Sequence, residues 1–540
     1  MNETEFNLLD EPWIRVMDIS CKVHEVSLKN ALINANEFKA LSGELPTQDV
    51  AVMRLMLAVL HTVFSRVDEN GNEAPLDEED EDEALERWKA LWDKGYFPEK
   101  AITEYFDKWH ERFWLFHPRR PFYQIPKDEM LKRISGQSEI FLSKLNGEIS
   151  QSNNKKNIFS LYSGKDFDSM SYAQAARWLV FTQAYDDVAL KPQGENSHSA
   201  SVGWLGKLGL IYLLGDSLFE TLMLNLVLIN NSHVESFQKP IWEKDTICYD
   251  ERVPIVFPDN LAELYTIQPR RIHLFRNEDE ITHFHILAGD LVSSNNAFEE
   301  PMTAWKNEKK PYLGFTPLEH DSPKQMWREF SALYHKDGNE CAGIISWYKN
   351  ILLPAKVINK SRMTKTAIVA LQYDKSSTHK FVNFYSDSLD MHSDLLSELG
   401  ADWRNSIEIE ISKCSELAGA IAYLAQNLYV ASGGSNSKKD KHYTEIPDAV
   451  KSQLYFRLDL PFREWLRSID PECYDEKNKY EKQKLWQITA KSIALSYAKE
   501  LAAETNETAI IGHRADGKMY SVPRAMNTFR SSLNKIYPKE

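Results

Sequence analysis

The 540 residues are too many for a single hydrophobic core, so two or three domains are expected. Apolar residues at 43% and aromatics at 11% exclude a disordered chain. A net charge of −15 lacks the basic footprint of a dedicated nucleic-acid binder, although a local basic loop remains compatible with it, because salt screens charges more than about 10 Å away.

In chain order, F-N-L-L-D-E-P-W-I-R-V at 6–16 predicts a turn at Asp10-Glu11-Pro12 and a strand from Trp13. Residues 23–26 form its hairpin partner, and a short helix over 28–35 is capped by Ser27. The stretch 47–67 is apolar nearly all round (Val50, Val52, Met53, Leu55, Met56, Val59, Leu60), which predicts a central core helix. The acid run D-E-E-D-E-D-E at 77–83 reads as a solvated loop and helix start, where carboxylates suit the positive end of the helix dipole. Helices follow over 84–92 and 103–113. In H-P-R-R-P-F-Y-Q at 117–124 the prolines impose an extended segment, with His117 packed beside Phe122 and Tyr123.

The stretch 157–204 organises the chain. A helix bearing Ala173, Ala176, Leu179 and Val180 at helical spacing is flanked by two polar loops. Loops braced by a helix present a paired contact surface, although an ordinary loop–helix–loop has the same pattern. Gly203, Gly206 and Gly209 stand three apart, which matches neither G-x-G-x-x-G nor a Walker loop and points to close packing. The most apolar long stretch, 208–229, is interrupted by Asp216 and Glu220 and predicts a buried helix rather than a membrane span. Residues 261–274 read as a helix end entering a strand, and 281–286 alternates, with His283 and His285 on one face. P-M-T-A-W at 301–305 begins a strand or loop, 340–348 is helical, and A-I-V-A-L-Q-Y to 373 is a strand. The polar tip D-K-S-S-T-H-K at 374–380 joins it to a second strand, F-V-N-F-Y. Beyond residue 390 four helical stretches follow, at 393–433, 444–470, 478–504 and 516–536, and Ile409, Ala418, Ile421, Ala422, Leu424 and Ala425 form an apolar stripe. The expected fold is α+β: a large mixed α/β N-terminal domain over 1–390 and a four-helix bundle over 391–540.

The chain has no H-E-x-x-H, G-x-S-x-G, C-x-x-C or Walker lysine loop and no kinase motif set, and its 21 glycines are few for a nucleotide binder. Its five cysteines are widely spaced, and the N-terminus is acidic without an apolar run, so the cytoplasm is the expected compartment. No catalytic residue, cofactor or metal is expected. The only candidate ligand pair, His283 and His285, has no evident third partner.

Several segments, taken together and in order, resemble the CasA family, the large subunits of the type I-E CRISPR surveillance complex called Cascade. They are the opening F-N-L-L-D-E-P-W-I-R-V, W-L-F-H-P-R-R-P-F-Y-Q at 114–124, N-I-F-S, A-A-R-W-L-V-F-T-Q-A-Y, G-W-L-G-K-L-G at 203–209, Q-P-R-R-I-H-L, P-M-T-A-W and the terminal bundle. The resemblance implies a non-catalytic subunit whose partners are the other Cascade subunits, the CRISPR RNA, double-stranded target DNA and a helicase–nuclease, with no membrane. It implies that the chain reads a short protospacer-adjacent motif from the minor groove, whose degenerate code suits a tolerant sensor, while guide pairing supplies the long specificity.

The resemblance also implies three nucleic-acid-binding loops. The first covers 157–162, with Asn157, Phe159 as its aromatic, Ser160 and Leu161. The second, the family's glycine loop, covers 187–193 and here has Ala189 in place of glycine and Lys191 able to reach phosphate. The third, the family's wedge, covers 374–379 with Lys375, Ser376, Ser377 and Thr378, the last two standing where well-known members have glutamine. The family's minor-groove lysine is expected near 286–290, where this sequence has none, and the cysteine cluster of some members is missing, so no zinc is expected. Two other readings stay open: a metal-dependent acidic hydrolase or nuclease using the scattered carboxylates with His283 and His285, and an assembly scaffold whose bundle binds a protein.

Overall fold

The computed structural model describes residues 3–134, 140–147, 169–187, 201–245, 258–277, 280–292, 299–308, 314–320, 324–334, 338–358, 363–373, 381–472 and 475–538. The architecture is mixed α+β, ending in a helical bundle, as the sequence predicts. The chain divides into two compact units. One comprises Met1–Ser322, Ala332–Val357 and Lys365–Ser388, and the other Pro323–Ser331, Ile358–Thr364 and Leu389–Glu540.

The first unit is built around the helix Pro46–Phe64, in which every residue except Pro46 and Asp49 is buried. It is the one described helix long and apolar enough to cross a membrane, and 94% of its most apolar window lies inside the protein. Its one buried arginine, Arg54, is paired by both Nη atoms with the fully buried carboxylate of Glu300 at 2.7 and 2.8 Å, and Trp204 Nε1 donates to the same carboxylate at 2.8 Å. The pairing removes the large cost of an isolated buried charge. The chain also forms small antiparallel sheets. Ile14–Asp18 is flanked by Val23–Val26 and Phe38–Leu41, and Glu280–Ala288 by Arg270–Asn277 and Ile140–Phe141. In a third sheet Met363–Tyr373 lies between Phe381–His392 and Leu210–Leu214.

Some expectations are corrected. The apolar stretch 208–229 is not one helix: it is the strand Leu210–Leu214, the helix Leu218–Leu224 and the short strand Ile229–Asn230. The break is local, because the Ser217 side chain accepts from the Glu220 amide and starts a new helix, while Leu210–Val369 to Leu214–Lys365 pairing extends the preceding run. His117 does not show the expected packing. Its Nδ1 accepts from the Arg119 and Arg120 amides at 3.1 and 3.0 Å, while Phe122 and Tyr123 stack on each other at 4.3 Å. Asp80, in the acid run, caps the helix Glu81–Lys94, as expected.

The second unit contains the helices Ala401–Ala431, Lys441–Arg467, Glu476–Ala503 and Val522–Ile536. Trp465 stacks on Trp486 at 5.6 Å, Phe462 meets Trp486 edge-on at 5.0 Å, and Trp327 stacks on Phe462 at 4.2 Å. Ile409 is 54% exposed and leaves the predicted stripe, whose phase is set by buried Ile407, Cys414, Leu417 and Ile421. The last helix begins six residues later than expected, because Asp516 and Gly517, both at positive φ, close a hairpin between His513–Ala515 and Lys518–Tyr520.

Candidate nucleic-acid interface

The helix Tyr172–Tyr185 is the brace. Ser171 opens it with a capping box: the Gln174 amide donates to Ser171 Oγ at 3.2 Å, and the Ser171 amide donates to Gln174 Oε1 at 3.1 Å, so two otherwise orphaned donors are satisfied. Arg177 is 3% exposed and locks the helix in place by donating to Glu44, to Glu25 Oε1 at 2.8 Å and to the Trp13 carbonyl at 2.6 Å. Gly147 lies so close to the Trp178 and Phe181 rings that a Cβ there would come within 2.7 Å of both. The two described residues that bound 148–168, Gly147 and Ser169, therefore belong to chain that returns to this helix.

At the opposite end of the helix, about 21 Å away at 1.5 Å per residue, a single guanidinium gathers the chain. Arg270 is almost fully buried. Its Nε bonds the Asp186 carboxylate, and its Nη2 donates to the carbonyls of Asp186 at 3.2 Å, Asp187 at 2.8 Å and Ser201 at 2.6 Å. Asp187 and Ser201 are the last described residue before the segment 188–200 and the first after it. A cation here also suits the negative end of the helix dipole. The Gln183 side chain holds Arg270 in register by accepting from its amide at 3.1 Å and donating to its carbonyl at 3.0 Å. Gly203 donates to the Asp186 carbonyl at 2.8 Å.

The third element arrives at the same point. Tyr373, the last described residue before 374–380, donates its hydroxyl to the Tyr185 carbonyl at 2.5 Å, satisfying a helix-end acceptor. Burial pushes the Tyr373 phenol well above its usual value, so it stays a neutral donor. The glycine spacing read as close packing is explained here. A Cβ at Gly203 would lie 2.3 Å from the Ala184 carbonyl oxygen, one at Gly206 2.4 Å from the Tyr373 hydroxyl, and one at Gly209 2.7 Å from the Leu318 carbonyl oxygen.

The predicted contact residues Asn157, Phe159, Ser160, Leu161, Ala189, Lys191, Lys375, Ser376, Ser377 and Thr378 lie outside the described residues. Their anchoring points do not: the bases of 188–200 and 374–380 meet at one helix end, and 148–168 is bounded on the helix itself. Near 286–290, Asp290 pairs with Arg271 at 2.7 Å, and no lysine is present. Close by, Lys207 donates to the Val292 carbonyl at 3.1 Å, and burial, with Arg270 nearby, brings its amine down to about 8. Sequence reasoning passed over Arg270 and Lys207. Both sit in motifs read for other reasons, Q-P-R-R-I-H-L and G-W-L-G-K-L-G. His283 and His285 do share a face, with ring centroids 5.9 Å apart, but among the described residues no group of three His, Cys, Asp or Glu side chains is placed to hold a metal ion.

The CRISPR-associated protein Cse1 family model matches residues 7–497. A Thermus thermophilus relative, described as CRISPR-associated protein CasA/Cse1, is 26% identical over 480 residues, spanning 87% of this chain and 88% of that one. The crystal structure of Thermobifida fusca Cse1 superposes with a TM-score of 0.81 at 25% identity, over 99% of this chain and 98% of that one. A chain of a structure titled CRISPR RNA-guided surveillance complex shares the fold, with a TM-score of 0.65 at 15% identity over 98% and 99% of the two chains.

Proposed function

The chain belongs to the CRISPR-associated protein Cse1 family, and from that premise we propose that it is the non-catalytic large subunit of a type I-E Cascade complex. In this role it recognises the protospacer-adjacent motif in double-stranded DNA, promotes duplex opening and R-loop formation, and recruits a helicase–nuclease in antiviral defence. Its partners are the other Cascade subunits, the CRISPR RNA and the target duplex, in the cytoplasm. The convergence of two loop bases on Arg270 and the Tyr185 carbonyl carries the reading, because a motif sensor needs its tips presented together from rigid supports. Tips whose side chains are uncharged or singly charged suit a minor-groove reader, and an acidic body that merely holds them need not be basic itself.

The test is binding of Cascade to duplex targets with and without this chain. The expected outcome is loss of target binding and of motif discrimination without it, and unchanged binding would overturn the proposal. Within the third loop, Ser377→Ala with Thr378→Ala is expected to weaken binding to intact duplexes more than to targets already melted beside the motif. Equal loss on both would reject a wedge role for that loop.

A further inference from the structure

On the sheet formed by Arg270–Asn277 and Glu280–Ala288, register places His273 opposite His285 and Phe275 opposite His283. Phe275 stacks on His283 at 4.5 Å, and the Lys127 ammonium stands 6.0 Å from the Phe275 ring centroid. Lys127 has no ion-pair partner among the described residues. Beside this face is a cavity of about 380 Å³, within the roughly 300–1,000 Å³ of ordinary ligand clefts. Phe116, His117, Lys127, Asp128, His273 and Phe275 are among the side chains that line it.

The two histidines facing this cavity are fixed by backbone in opposite tautomers. His117 Nδ1 accepts two amide protons, so its proton sits on Nε2. His273 Nδ1 lies 2.8 Å from the Ile125 carbonyl and must donate to it, so in the neutral ring Nε2 keeps a bare lone pair. Burial lowers His273 to about 4 and also lowers His117, so both rings are neutral at pH 7. The cavity thus offers a fixed N–H donor, a fixed ring acceptor, aromatic and proline walls, the Lys127 ammonium, and the Arg276 guanidinium, which is held by Glu5 and Tyr172. Its carboxylates, Asp128 and Glu3, disfavour a deeply placed phosphate and suit hydroxyl donors.

We propose that this cavity binds an unpaired ribonucleotide: the base edge meets the two imidazoles and the base lies against the aromatic wall, the ribose hydroxyls donate to carboxylate, and the phosphate stays at the mouth near Lys127. A nucleobase carries donor and acceptor on one planar edge, and the 2′-hydroxyl distinguishes RNA from DNA. That the ribonucleotide comes from a guide strand rests on the proposed function, whereas the chemistry of the pocket does not.

The test is calorimetric titration of the purified full chain with AMP, GMP, CMP and UMP, their 2′-deoxy forms, and single-stranded RNA and DNA hexamers. At least one ribonucleotide is expected to bind about tenfold more tightly than its deoxy form, the difference one well-placed hydrogen bond makes. His273→Asn retains a donor for the Ile125 carbonyl but removes the Nε2 acceptor, so it should weaken binding about tenfold. His273→Gln retains an acceptor and should weaken it less. A hexamer that binds more tightly than every mononucleotide assigns the site to a strand, and the reverse assigns it to free nucleotide. No binding at millimolar concentration, equal affinity for deoxy forms, or indifference to His273→Asn overturns the proposal. Because no complex or duplex enters these titrations, such a failure leaves motif recognition by Cascade untouched.

Discussion

Arg270 concentrates more of the candidate interface than any other side chain, since one guanidinium holds the Asp186 carboxylate and the carbonyls on both sides of 188–200. Arg270→Gln removes the guanidinium from the Asp186 carboxylate and unties both ends. We expect a stability loss of about 3 kcal/mol in urea unfolding, together with loss of motif discrimination. Tyr373→Phe separates the two effects: it removes only the hydroxyl, costs about 1 kcal/mol, and should still weaken binding of intact duplex targets. His61 gives a different kind of residue-scale prediction. It is fully buried in the core helix, neither ring nitrogen has a hydrogen-bond partner among the described residues, and burial lowers it to about 3. The unfolded chain, titrating near 6.5, therefore binds more protons than the folded one between pH 6.5 and pH 3, and stability falls as pH drops through that window. About 2 kcal/mol should be lost between pH 6.5 and pH 5, and His61→Leu should flatten that slope in urea midpoints measured at both pH values.

At the scale of elements, the brace works because both of its ends are chemically closed. Ser171 and Gln174 satisfy its first amides, while Tyr373, Gly203 and Arg270 satisfy carbonyls at its end. The chain after 188–200 must approach that end very closely, and only glycine permits it at 203. Gly203→Ala places a methyl 2.3 Å from a backbone oxygen that cannot rotate away. The expected cost is about 2–3 kcal/mol, and the helix end should show faster amide exchange at Tyr185 and Asp186 than the wild type. A normal exchange profile with normal stability would mean that the approach relaxes without cost.

At the scale of the whole molecule, a net charge of −15 does not favour long-range attraction of DNA, so the proposed DNA contacts are short-range ones. Lys191 and Lys375 are the two lysines of the proposed second and third loops. If each neutralises one phosphate, removing the chain from Cascade should change the slope of log K against log salt by about 2. A change near zero would limit the loops to base contacts, and one of five or more would point to a basic surface elsewhere.

The sequence by itself determined what repeats or caps locally. The all-round apolar face of 47–67, the Ser27 and Ser171 caps, the alternation that puts His283 beside His285, and the long helices of the bundle are each written in neighbouring residues, and the ordered motifs pointed to the family. Phase and breaks were less legible. Ser217 divides an apolar run that periodicity reads as continuous, Asp516-Gly517 carries a hairpin signal inside an apparent helix, and Ile409 turns outward because Cys414 and Ile407 set the buried phase. Only the tertiary structure decided the anchoring of the loops. Arg270, Ser201 and Tyr373 are separated by 69 and 103 residues along the chain, and no local pattern records that one buried guanidinium and one helix-end carbonyl will collect them. Buried polar groups must find partners wherever the fold brings them, and that requirement is met in space rather than along the sequence.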